Sequence, residues 1–288
     1  MKMDYRNAKS AETIARFWGK PLDKPDWYKI EAKADDEAEI IIYDVIGWPF
    51  IEADVFVREL AGIKAKSIKL RINSPGGDVF DGMAIFNALK DHPAKITTQI
   101  DGLAASVASV IALSGDEVTA HKNSMMMIHN AWVVVAGDRH LLSAVATNIL
   151  EKIDGNILDI YYGKAGSGKR DLRQMMDEET WLTAAEAKEK GLIDRVLEGA
   201  TQAKAQFSLS MYANVPDGLE GKQEGRELTE REMERALRDA GGSRSFAKAA
   251  VSRMKQPLRD VEVKSELEKL ISKITGGKKD GFRTQGNH

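Results

Sequence analysis

Between Ala38 and Leu197 the chain alternates short, β-branched apolar runs with segments of helical period, which restricts it to folds where helices cover a largely parallel sheet. AEIIIYDVI (38–46) reads as a strand buried on both faces. EADVFVRELAGI (52–63) has helical spacing, with Val55, Leu60 and Ile63 on one side. SIKLRIN (67–73) is a second strand and stops at Ser74-Pro75-Gly76-Gly77. A helix over Asp78–His92 follows, with Val79, Met83, Phe86 and Leu89 along one side. KITTQI (95–100), EVTAH (117–121) and SMMMIH (124–129) are further strands, and Ala105–Leu113 a short helix. Arg139–Tyr162 reads as one long amphipathic helix. Thr183–Gly191 opens with a capping box, Thr183 and Glu186, and closes at a glycine. No repeat of solenoid period is present.

The flanks differ. Residues 1–37 mix charges, prolines and Trp18, Trp27 and Tyr28, and read as an irregular arm with one short helix near Ala11–Phe17. All five tryptophans precede Gly199, and beyond it charges of both signs crowd a segment with few aromatics. Such a segment buries little apolar surface. Residues 200–288 are expected to be a linker and a partly disordered tail, helical over 228–254 and 261–274 and open to autocleavage between Gly199 and Glu227. The expected division is 1–37, 38–199 and 200–288. With no cysteine, disulfides, thiolate metal sites and cysteine nucleophiles are excluded. The net charge of −2 gives no reason to expect nucleic acid. The polar N-terminus lacks the apolar core of a secretory signal, and no run reaches the roughly 20 apolar residues of a membrane span. A cytoplasmic protein without membrane attachment is expected.

Two turns after strands suit acyl-transfer chemistry, which needs a hydroxyl, a base, a group orienting that base, and N–H donors for an oxyanion. In INSPGGD (72–78), glycines allow the backbone to approach a ligand closely and face it with N–H groups. In IDGLAASVAS (100–109) a strand turns at Gly102 and a helix begins near Ser106, where positive potential favours negative charge. His129 ends the apolar run Met125–Ile128. Ser109 and Ser124 are lesser candidates for the hydroxyl. No histidine and carboxylate set has metal-ligand spacing, so no metal or other cofactor is expected. GKAGSGKRD (163–171) fails the phosphate-loop pattern because Arg170 follows Lys169, and it follows a helix.

INSPGGD (72–78), GLAASVAS (102–109), MMIHN (126–130) and ETWLTAAEAKEKGLID (179–194) resemble, in order, the signature blocks of the ClpP family of serine peptidases. The resemblance covers roughly residues 38–198. It implies the ClpP/crotonase-like layered α/β fold of repeated ββα units with a helical handle, here Arg139–Tyr162, that joins subunits into a homo-oligomer. It further implies that Ser106 is the nucleophile and His129 its base, with Gly77 and Val107 as oxyanion donors. At the third triad position the family usually has Asp; the matching residue here is Glu179, with Asp177 the alternative.

The arm, the long tail and the block ALRDAGGSRSFAKA (236–249) resemble the ClpP-like prohead proteases of tailed phages and prophages. This implies an ATP-independent endopeptidase acting on scaffold and capsid proteins in assembling heads within the bacterial cytoplasm. The alternatives are an ATPase-assisted degradative peptidase and a non-catalytic capsid assembly protein that keeps the fold.

Overall fold

The β-branched runs pair into one eight-stranded sheet. The computed structural model describes residues 28–199 except 35, 134–137 and 167, together with residues 207–216, residue 219 and scattered positions within 11–18 and 231–248. The strands are β1 (Tyr28–Ala34), β2 (Glu37–Ile42), β3 (Ser67–Ser74), β4 (Lys95–Ala105), β5 (Glu117–His121), β6 (Met125–Ile128), β7 (Thr180–Thr183) and β8 (Arg195–Leu197). Their order is β1-β2-β3-β4-β5-β8, with β6 joined to the far half of β4 and β7 to β6. β2, β3, β4 and β5 run parallel, as the alternation with helices requires. Two pairs are antiparallel, β1 with β2 and β6 with β7.

Alternation along the strands decides which face is covered. Ala38, Ile40, Ile42, Ile68, Leu70, Ile72, Ile96 and Ile100 lie on the buried face. Helices α1 (Ala53–Leu60), α2 (Val79–Asp91) and α3 (Val107–Ala112) add Phe56, Leu60, Ile85, Leu89, Val110 and Ile111 to the same core. The intervening positions of β2 and β3 (Glu39, Ile41, Lys69 and Arg71) are only partly covered. The expectation that β2 is buried on both faces is therefore corrected. Its three isoleucines mask an ordinary alternation in which Ile41 stays on the open side. On that side Asp101, itself buried, accepts from Arg71 Nε at 2.7 Å, from Gln99 Nε2 at 2.5 Å and from the Tyr43 hydroxyl.

Helices α4 (Arg139–Val145) and α5 (Glu151–Ala165) are joined by a π-helical turn over Ala146–Leu150. The expected single helix is thus interrupted in its hydrogen-bond pattern. Ile157, Leu158 and Tyr161 are buried, while Ile149 and Tyr162 stand exposed. Helix α6 (Lys169–Asp177) leads into β7, and α7 (Ala184–Glu189) carries the expected capping box between Thr183 and Glu186. No helix among the described residues is long and apolar enough to cross a membrane.

Two segments depart from the sequence reading. Tyr28–Ala34, expected to be irregular, adds β1 to the sheet edge in register with β2. Residues 207–215, expected to be linker, bury Phe207, Leu209 and Tyr212 in a second apolar cluster with Leu103, Ala105 and Met127. The chain divides into two compact units, Met1–Gly225 and Arg226–His288, and everything named here lies in the first. Most of the segment carrying the expected tail helices lies outside the described residues.

Candidate active site

Strand β4 positions Ser106. Its first half pairs with β5 (Thr97–Ile100 with Glu117–Ala120), and its last residues pair with β6 (Leu103–Ala105 with Met125–Met127). At this change of partner the β3–β4 register shifts, from Ile72↔Ile100 to Ser74↔Ala104. The amide freed there, Leu103 N–H, donates to the buried Asn73 side chain at 3.1 Å. Ser106 follows immediately with φ 55° and ψ −132° and its N–H on Met127 O at 3.0 Å. A left-handed φ on a non-glycine residue costs on the order of 1–3 kcal/mol, so the surroundings must enforce it. Ser109 helps do so. Its hydroxyl donates to Ser106 O at 2.5 Å and shares a hydrogen bond with the Tyr161 hydroxyl at 2.7 Å. Ser109 and Ser124, the lesser candidates, are both buried, and Ser124 Oγ donates to His121 O. Their hydroxyls serve the backbone.

His129 is set by the antiparallel pairing of β6 with β7. Met127 faces Trp181 and Ile128 faces Thr180, and the same register carried one step further brings His129 beside Glu179. His129 Nε2 lies 2.7 Å from Ser106 Oγ. Burial holds the imidazole pKa below its ordinary value, an effect only partly opposed by the negative charge of Glu179. The ring is accordingly neutral near pH 7 and Nε2 can accept the serine proton.

The glycine turn supplies the remaining element. Gly76 has φ 96°, and a Cβ there would sit 2.7 Å from both Ala105 O and Ser106 Cβ. Only a glycine lets the two turns meet this closely. Gly77 (φ 148°) bridges to Ile46 through its neighbours, with Ile46 N–H on Gly76 O and Asp78 N–H on Ile46 O. That pattern leaves the Gly77 amide facing away from Ile46. The Val107 amide, first in α3, has no intrahelical acceptor. Gly77, Ser106, Val107 and His129 all border one cavity of about 380 Å³. Its mouth carries the exposed apolar side chains Phe80, Trp132 and Val133.

The third position differs from the expected arrangement. Glu179 has φ 50°, and its carboxylate accepts from the backbone N–H groups of Asn214 at 2.7 Å and Ala213 at 3.1 Å, and from Trp181 Nε1 at 3.4 Å. Asp177 accepts from Asn130 Nδ2 at 2.8 Å. Among the described residues, neither carboxylate is hydrogen-bonded to His129, and Glu179 acts on it through charge.

The sequence reading missed Tyr212. Its ring meets His129 edge to face at 5.4 Å and Trp181 at 5.8 Å, and its hydroxyl donates to Pro75 O at 2.5 Å. The available signal was AQFSLSMYANVP (205–216), a stretch without one charged residue inside an otherwise charged region.

Comparison with known proteins finds relatives over the same stretch of chain. A family model described as Clp protease matches residues 23–200. The ATP-dependent Clp protease proteolytic subunit 1 of Protochlamydia amoebophila is 33% identical over 177 residues, covering 59% of this chain and 84% of the relative. The subunit of the same name from Chlamydia abortus is 36% identical over 130 residues, 44% of this chain and 67% of the relative. The ATP-dependent Clp protease proteolytic subunit of Deinococcus radiodurans is 31% identical over 135 residues, 46% of this chain and 66% of the relative.

Proposed function

Since this chain belongs to the Clp protease family and is a ClpP-type serine peptidase, we propose that Ser106 is its nucleophile, His129 its base, and an assembling viral head its place of work. The observation that carries the chemistry is the 2.7 Å contact between Ser106 Oγ and the Nε2 of a half-buried His129 whose pKa is lowered. His129 takes the serine proton as Oγ bonds to the peptide carbonyl carbon. The amides of Gly77 and Val107 receive the oxyanion, and His129 returns the proton to the leaving amine as the C–N bond breaks. Water then cleaves the acyl-enzyme by the same route, with His129 again accepting and returning a proton. Glu179 stabilises the imidazolium that forms in each step, and Asp177 has no part in it. Labelling by a fluorophosphonate should place the adduct on Ser106 and vanish in Ser106→Ala; an adduct elsewhere would reject this assignment.

The proposed role is ATP-independent endoproteolysis of scaffold and capsid proteins in a phage or prophage head. It is supported by the segments outside the family match, residues 1–22 and 201–288, the latter dense in charge of both signs. Residues beyond Gly225, which form their own unit, are proposed to bind scaffold or capsid protein. Helices α4 and α5 with the turn between them, where Ile149 and Tyr162 are exposed, are proposed as the contact between subunits of a homo-oligomer. A second reading, ATPase-assisted degradation, is favoured by the names of the relatives, which are ATP-dependent proteolytic subunits. The two separate on one measurement. A head-maturation protease cleaves its protein substrate unaided, whereas the degradative enzyme leaves a folded substrate intact until an unfoldase and ATP are added.

A further inference from the structure

The segment Phe207–Val215 is anchored from both ends of its own sequence. Phe207 and Leu209 are almost fully buried against Leu103, Ala105 and Met127, the strand residues that lead into Ser106 and His129. Between them and Val215 the chain crosses the catalytic pair, and the Tyr212 hydroxyl reaches the Ser106 side chain. Tyr212 lays its ring on His129, its hydroxyl holds the carbonyl of Pro75 at the start of the glycine turn, and the next two amides hold the carboxylate of Glu179. Asn214 Nδ2 adds a bond to Glu178 O at 2.7 Å.

We infer that Phe207–Val215 is a built-in part of the peptidase, with Tyr212 the positioning residue that fixes His129 and the glycine turn while the Ala213 and Asn214 amides fix Glu179. This rests on the Ser106–His129 reading above. The alternative, a strap that fills the substrate cavity, conflicts with that cavity's lining. The cavity bordered by Ser106, Gly77 and His129 is lined by Trp132, Val133 and Ile153 on its open side and not by Tyr212. Tyr212 meets the imidazole edge to face and brings its hydroxyl against the Ser106 side chain, outside that cavity's lining. A half-left-handed Glu179 pinned by two amides likewise cannot drift from its place beside His129.

The test uses the full chain and the rate constant of Ser106 labelling by a fluorophosphonate as a function of pH, because that rate follows the neutral fraction of His129 without requiring a known substrate. Tyr212→Leu keeps apolar volume but uncovers the imidazole. It should move the acidic midpoint of the profile upward, towards the ordinary histidine value of about 6.5, and lower the plateau by roughly 10- to 100-fold, the scale of loss from displaced catalytic groups. Tyr212→Phe keeps the ring and loses only the hydroxyl's bonds, to Pro75 O and to the Ser106 side chain, so it should lower the plateau and leave the midpoint in place. Asn214→Pro removes one amide from Glu179, and its effect should be largely lost when Glu179 is already Gln, because both changes act through one group. A Tyr212→Leu protein that stays folded and keeps the wild-type midpoint and plateau would overturn the inference, as would faster labelling. Additive effects of Asn214→Pro and Glu179→Gln would remove the amide clamp from it. Failure of the wild-type chain to label at Ser106 would overturn the Ser–His reading itself, and this inference with it.

Discussion

Replacing Gly76 by Ala should cripple the enzyme through its neighbour. The residue has φ 96°, where an L side chain is strained by about 1–3 kcal/mol. The added Cβ would lie 2.7 Å from Ser106 Cβ, whereas two carbons in contact need about 3.5 Å. Something must therefore yield by about 0.8 Å. It cannot be the other close neighbour, Ala105 O, also at 2.7 Å, because Ala105 is fixed in the ladder between β4 and β6. Overpacking adds about 1–3 kcal/mol, giving a total destabilisation of roughly 2–6 kcal/mol. Ser106 is the side chain left to move, and a displacement of this size at the reacting atom costs on the order of 100-fold in rate. The assay pairs fluorophosphonate labelling of Ser106 with denaturant unfolding followed by tryptophan fluorescence, so that the rate is read only where the protein is folded. Labelling within about threefold of wild type by a folded Gly76→Ala protein would refute the argument that this glycine makes room for the proposed nucleophile.

Burial lowers the His129 pKa, and a base works only when neutral, so the rate should be flat near pH 7 and fall only below about pH 6.5; a midpoint at or above that value in the labelling profile would contradict the burial argument. Glu179→Gln should lower the labelling rate far more than Asp177→Asn, since Glu179 is the carboxylate whose charge reaches the imidazole, while equal losses would return Asp177 to the site. Ser109→Ala leaves the buried Tyr161 hydroxyl without its partner and should cost about 1–3 kcal/mol in unfolding free energy, with a smaller loss pointing to a rearranged bond. Light scattering at micromolar concentration should show an oligomer, and a monomer there would reject α4 and α5 as the contact between subunits.

The fold was legible where hydrophobic period reports it directly. The strands at 67–73 and 95–100 and the helix at 79–91 stand where alternation and helical spacing put them, because each has a single face to bury, whereas the apolar run 38–46 marked a strand but misjudged its faces. Tyr28–Ala34 gave no such signal. It is an edge strand held by pairing with β2, and its composition is that of a charged arm. Ser106 and His129 could be named as candidates from ordered blocks, but their 2.7 Å contact depends on a partner exchange along β4 that no local pattern encodes. The third position was half legible. The register of β6 on β7 brings Glu179 to His129, yet the amides that hold its carboxylate lie more than thirty residues further along, in a stretch read as linker. Composition averaged over residues 200–288 hid the uncharged run at 205–216, whose Phe207, Leu209 and Tyr212 pack.

The contact between Tyr212 and Pro75 spans 137 positions of chain, and it sets the order in which the molecule becomes an enzyme. Ser106 and Gly77 leave the ribosome early, and His129 soon after. A chain emerging N-terminus first can complete the parallel ladders of β2, β3 and β4 before β7 exists. At that stage it holds a serine and a histidine but neither the strand that carries Glu179 nor the tyrosine against the imidazole. The last long-range contact to form is the one that finishes the site, so a nascent peptidase passes most of its synthesis without a completed active site beside its own unfolded chain.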